Sequence, residues 1–223
     1  MTTASTERDR IRDALRDHGH ALARDLGIAH ETGAALADAL RVQYDRWPRR
    51  YHDARHLLAC ARVCAEVRAS LPAPREIAFA LWFHDAVYRP WRRDNEARSA
   101  LQARRAALHL ALGEAFAERV SRLVLATAHL ADTGREHADP ATDWVLDIDL
   151  GILGSAPDAY DRYERDVRRE YFYLMPRTWQ RGRAAVLRHF LAQPAIYRTP
   201  HFRARLEAAA RANLQRALER LAA

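Results

Sequence analysis

Over most of the stretch from Ile11 to Leu221 apolar residues return at helical spacing, and no run alternates cleanly between apolar and polar. A period near 3.6 fits helices and not strands. The residue types agree, because alanine, leucine, arginine and glutamate dominate and all are good helix formers. Ile11, Leu15, Leu22 and Leu26 mark one helical face; Leu36, Leu40 and Tyr44 mark another. The spacing predicts further helices over residues 56–69, 74–88, 94–112, 114–130, 143–153, 157–173, 178–192 and 200–221. Pro74 suits a first helical position and Asp94 a cap. The polar stretch 131–142, broken by Gly134 and Pro140, reads as a loop. The expectation is an all-α chain of eight to ten helices. It forms one domain over residues 1–223, with N-terminal helices about 6–46 packed on a core from 47 to 221.

At 223 residues the chain is long enough to bury a core without help from a disulfide. Hydrophobic residues at 49% and charged residues at 29% exclude a disordered chain. Only Cys60 and Cys64 are present, four positions apart, which rules out a disulfide framework. They read as small buried hydrophobes, with a metal-binding pair as the alternative. No apolar run reaches the ~18 residues of a membrane helix. The opening MTTASTERDR lacks the apolar stretch of a secretion signal. A soluble, cytoplasmic protein is expected. The formal charge is +7, and all 36 basic residues are arginine, spread along the chain. That gives a nucleic-acid role little support. It suits a small anionic partner, because guanidinium matches phosphate geometry. The alanine-rich helices offer surfaces for a homo-oligomer.

Eleven histidines is a high count. Seven of them, His18, His20, His30, His109, His137, His189 and His201, stand without organised company. His52 and His56 are four apart in Tyr51-His52-Asp53-Ala54-Arg55-His56, which puts them on one helical face. His84-Asp85 follows the apolar run Ala80-Leu81-Trp82-Phe83. Asp147-Ile148-Asp149 lies between Trp144-Val145-Leu146 and Leu150. Ionisable groups in such stretches cost desolvation energy unless something pairs with them. A divalent cation satisfies imidazole and carboxylate together. The order His56, His84-Asp85, Asp149 makes a mixed nitrogen and oxygen site for Mn, Fe, Co, Ni, Zn or Mg.

That order on a helical scaffold resembles the HD-domain metal-dependent phosphohydrolases. More closely, the chain is similar to a family of small predicted HD-superfamily hydrolases. Six segments carry the likeness: Tyr51-His52-Asp53…His56, Trp82-Phe83-His84-Asp85…Tyr88, Asp94-Asn95-Glu96…Ser99-Ala100, Asp147-Ile148-Asp149-Leu150-Gly151-Ile152-Leu153-Gly154, Arg168-Arg169-Glu170-Tyr171 and Ala210-Arg211-Ala212-Asn213-Leu214. The first also resembles the cyclic-nucleotide phosphodiesterases. The resemblance implies an HD-type bundle in which His56, His84, Asp85 and Asp149 bind metal, with Asp147 as the reserve for the last place. It implies His52 as proton donor. Glu96 would orient the attacking water or simply sit in a first helical turn. His129 would bind phosphate oxygens, support a second metal, or pack behind the site. Arg168 and Arg183 would clamp phosphate, and Tyr88 and Asn95 would line the pocket. Asp53 stands where both families usually carry Asn, and an added carboxylate would raise the pKa of a neighbouring imidazole.

The function so implied is metal-dependent hydrolysis of a nucleotide or small phosphoester. The alternatives are a di-iron HD-type oxygenase and a non-catalytic nucleotide- or phosphate-sensing module.

Overall fold

The computed structural model describes residues 6–129 and 139–222. Its regular structure is helical throughout, with no strand among the described residues. Ten α-helices follow in order: α1 (Glu7–Leu26), α2 (His30–Tyr44), α3 (Ala54–Glu66), α4 (Pro74–Phe83), α5 (Asn95–His109), α6 (Glu114–Ala126), α7 (Pro140–Asp149), α8 (Pro157–Glu170), α9 (Pro176–Ala192) and α10 (Pro200–Ala222). The all-α expectation of eight to ten helices is met. No described helix is long and apolar enough to cross a membrane. The chain divides into two compact units, Met1–Leu125 and Ala126–Ala223.

In the first unit, α1 starts on a capping box. The Thr6 hydroxyl accepts from the Asp9 amide while the Asp9 carboxylate accepts from the Thr6 amide. The helix stops at Gly27, whose φ of 70° favours glycine. Helices α1 and α2 pack at Gly19 and Gly33, backbone against backbone. A Cβ on Gly19 would lie 2.5 Å from the Gly33 carbonyl oxygen, and one on Gly33 would collide with the Gly19 carbonyl. Next to this contact His20 stacks on His30, with ring centroids 3.6 Å apart. Sequence reading found no company for either ring, because stacking across a hairpin leaves no mark in local spacing. Leu15, Leu22, Leu40, Leu57, Ile77, Phe79 and Leu81 fill the core beneath. α6 is held by Arg104–Glu118 and Arg119–Glu76 ion pairs and by Phe79 edge-on to Phe116.

In the second unit, a 3-10 turn (Leu150–Gly154) continues α7, and α10 packs on that turn and on α9. A Cβ at Gly154 would lie 2.5 Å from the Leu206 Cβ, so the crossing needs glycine there. The Asn213 amide donates to the Leu153 and Ser155 carbonyls and ties α10 to the end of the turn.

Several expected boundaries move, two of them for reasons the side chains show. The helix predicted over 74–88 ends at Phe83. Beyond it the backbone is held by side chains from elsewhere: Tyr44 to the Asp85 amide, Arg49 to the Asp85 and Ala86 carbonyls, Ser99 to both Val87 backbone groups. The loop predicted over 131–142 gives way to helix at Pro140. Asp139 caps that helix through the Ala141 amide, so the proline sits at a first helical position instead of breaking one. The rest of that loop, with His137, lies outside the described residues.

Candidate metal centre

The donor group of the first unit is built on α3 and the end of α4. Asp53 caps α3 by accepting from the Arg55 amide, and its carboxylate pairs with the Arg55 guanidinium at 2.8 Å. Its charge is therefore matched by the Arg55 guanidinium beside the helix start. Asn, the residue usual at this place in the families the sequence resembles, would cap equally well. One turn in, α3 turns His56 and then Cys60 inward, and both are buried. The buried run Phe79 to Phe83 fixes α4 and delivers His84 as the residue that ends it.

His84 is 1% exposed. Its Nδ1 lies 2.7 Å from the Leu81 carbonyl oxygen, which only accepts, so that nitrogen carries a hydrogen and Nε2 is the ring nitrogen that faces the site. There it meets His56 Nε2 at 2.9 Å. The Asp85 Oδ2 lies 3.3 Å from His84 Nε2 and 3.7 Å from His56 Nε2. Two nitrogens bound to one ion at ~2.0–2.1 Å sit about 2.9 Å apart at a right angle and about 3.4 Å apart at the tetrahedral angle. Two of the observed separations, 2.9 and 3.3 Å, fall in that range and the third, 3.7 Å, lies just beyond it, so a small side-chain adjustment lets the donors reach a single divalent ion. Cys60 joins them: the donor atoms of His56, Cys60 and His84 lie within 4.8 Å of one another. This buried group can hold a metal ion.

Tyr44 and Arg49 support it. Burial and the Asp85 carboxylate hold the Tyr44 phenol well above its ordinary pKa. The neutral hydroxyl accepts from the Asp85 amide and donates to the Trp82 carbonyl. Arg49, 8% exposed, donates to the His52, Asp85 and Ala86 carbonyls at 2.9, 2.6 and 2.8 Å. It also lies over the Tyr44 and Tyr88 rings. Sequence reading missed Arg49. With 36 arginines, composition singles out none, and the only signal was its place just ahead of the Tyr51-His52 motif.

The other expected residues of this unit separate into two groups. His52 is half-buried and stacks on Tyr88, ring centroids 4.2 Å apart, so the expected proton donor and one expected pocket residue do meet. Its ring lies 6.0 Å from that of His56, centroid to centroid. Asn95 is buried and bonds both backbone groups of Arg89, which is a scaffold contact. Glu96 sits half-buried in the first turn of α5.

The second unit carries the expected acidic motif. Asp147 and Asp149 are two residues apart, about 200° around a helix, so they face different surroundings. Asp147 is fully buried and accepts from the Arg198 amide, the Thr199 amide and the Thr199 hydroxyl at 2.7–2.8 Å. Burial pushes its carboxyl up to about 6 against these donors. It anchors the entry to α10, which removes it as the reserve ligand. Asp149 instead accepts from or shares a proton with His129, Nε2 to Oδ2 at 2.8 Å. His129, expected to bind phosphate, support a second metal or pack behind the site, is thus placed against Asp149 within the second unit. Arg183 is buried against Glu164 at 2.6 Å and the Tyr163 hydroxyl. Arg168 donates to the Tyr171 and Leu174 carbonyls and lies over Trp179. Both guanidiniums hold the unit together through these contacts.

The contrast between the two carboxylates gives an expected result. Asp147→Ala leaves three buried donors without their acceptor and should lower unfolding free energy by about 3 kcal/mol in urea. Bound metal in the folded fraction should not change. A drop in metal content with unchanged stability would reverse the two assignments.

No protein-family model, curated protein or solved structure matches this chain, so the meaning of the site rests on the convergence of His56, Cys60, His84 and Asp85 itself.

Proposed function

We propose that the chain is an HD-type metal-dependent phosphohydrolase acting on a nucleotide or small phosphoester. The observation that carries this is the pair of buried imidazoles meeting at 2.9 Å with the Asp85 carboxylate beside them. Two such rings with a carboxylate are costly to bury unless an ion or proton joins them. A divalent ion held there supplies Lewis acidity toward a phosphoryl oxygen and acidifies water. His56, His84 and Asp85 are its ligands in this reading. His52 hands a proton to the leaving oxygen, a role suited to an imidazole that titrates near neutrality. Its stack on Tyr88 fixes the ring plane, and Arg49 fixes the backbone behind it.

The test is metal content of protein purified without chelator, followed by phosphate release from a panel of nucleotides and phosphoesters. About one equivalent of metal and metal-dependent turnover are expected, both lost in Asp85→Ala. Full activity in metal-free Asp85→Ala protein overturns the reading. Two irons per chain would move the function to oxygenation, and tight nucleotide binding without turnover under any ion would move it to sensing.

A further inference from the structure

Cys60 belongs to no set that the HD-like motifs supply, yet its sulfur lies within 4.8 Å of the His56 and His84 donor atoms. It follows His56 by one helical turn, so the two side chains share a face of α3. Its Sγ is 3.8 Å from His56 Nε2 and 3.9 Å from His56 Nδ1. A sulfur at ~2.3 Å and a nitrogen at ~2.0–2.1 Å from one ion are about 3.6 Å apart at the tetrahedral angle. The observed spacing needs only a small side-chain adjustment to reach that value. Cys60 is 2% exposed, so few waters can reach an ion from this side. Magnesium keeps several waters and prefers oxygen. Thiolate and imidazole select zinc, iron(II) or cobalt(II).

We propose that Cys60 binds the ion directly as a thiolate, so that the first unit offers a His56-Cys60-His84 donor set for a borderline-soft divalent cation in preference to magnesium or manganese. The proposal rests on the metal-centre reading above. As the sulfur–metal bond forms, the thiol proton leaves to the buffer and no oxidation state changes. The thiolate and the Asp85 carboxylate then balance the two charges of the ion. Cys64, one turn further along α3, is the internal control. Burial pushes its thiol up to about 12, and the ionic groups nearest it are Arg68 and Asp25, with no imidazole among them.

The experiment is cobalt(II) titration of the metal-stripped full chain, read by absorption, with Cys60→Ser and Cys64→Ala alongside. The wild type should show cobalt bands in the visible and a sulfur-to-cobalt charge-transfer band in the near ultraviolet. Cys60→Ser should keep the visible bands and lose the ultraviolet one, and Cys64→Ala should keep both. X-ray absorption at the zinc edge of the wild type should show one sulfur at ~2.3 Å, a reading independent of how the variants fold. Visible bands without sulfur by either method would overturn the role of Cys60 and leave the metal centre standing. No bound cobalt at all would overturn both.

Discussion

Alanine at His84 should remove the bound metal, with affinity falling more than ~100-fold, beyond what loss of an outer hydrogen-bond partner costs. The ring supplies one of the two imidazoles of the first unit's donor group, and its Nδ1 bond to the Leu81 carbonyl aims the other nitrogen. Alanine also leaves a small buried void and an unmatched carbonyl, so stability should fall by about 1–3 kcal/mol. Asp85→Asn separates the two effects. The backbone at Asp85 is held by Tyr44 and Arg49, not by its carboxylate. That variant should keep its helical circular dichroism while losing metal. Retention of a full equivalent of metal by both variants would place the ion elsewhere.

Arg49→Ala should be the most damaging change outside the donor set. Three charge-assisted bonds to carbonyls disappear together, and two of those carbonyls belong to the segment just after His84. Such bonds are worth about 1.5–3 kcal/mol each but do not add fully, so a loss of about 3–5 kcal/mol is expected in urea unfolding. Lysine at 49 can satisfy one carbonyl at a time and cannot reproduce the fork. Arg49→Lys should therefore fold and bind metal about 10–100-fold more weakly. Unchanged metal affinity in folded Arg49→Lys protein would confine this arginine to a role in stability.

The helices were legible because periodicity and helix-forming residues point the same way at almost every position. Their ends were legible only where a local signal decides them, as at Pro74, where α4 begins. At Phe83 the helix yields to Tyr44, Arg49 and Ser99, residues up to 41 positions away, which no local pattern records. At Pro140 the same residue that breaks a helix inside a run starts one after a capping Asp139. The donor pair His84-Asp85 was legible because charge inside an apolar run needs a partner. Cys60 was read as a hydrophobe because burial and metal binding place a cysteine in the same apolar setting. The i, i+4 spacing from His56 was the available sign. Asp149 was preferred to Asp147 on the resemblance alone, and what divides them physically is their separate partners, Thr199 for Asp147 and His129 for Asp149.

The backbone contact between Gly19 and Gly33 has a consequence for the order in which the chain acquires its shape. Each of these residues lies inside a helix, where glycine lowers intrinsic helix stability by about 1 kcal/mol relative to alanine. A helix of 20 or 15 residues weakened in this way is a poor survivor in isolation. Close approach of the two backbones returns what each helix lacks. α1 and α2 therefore form together or not at all, and they depend on the α3 and α4 surfaces that α1 touches. The N-terminal hairpin is an obligate pair that condenses onto the helices carrying the metal donors, and it should report their integrity by melting as a unit.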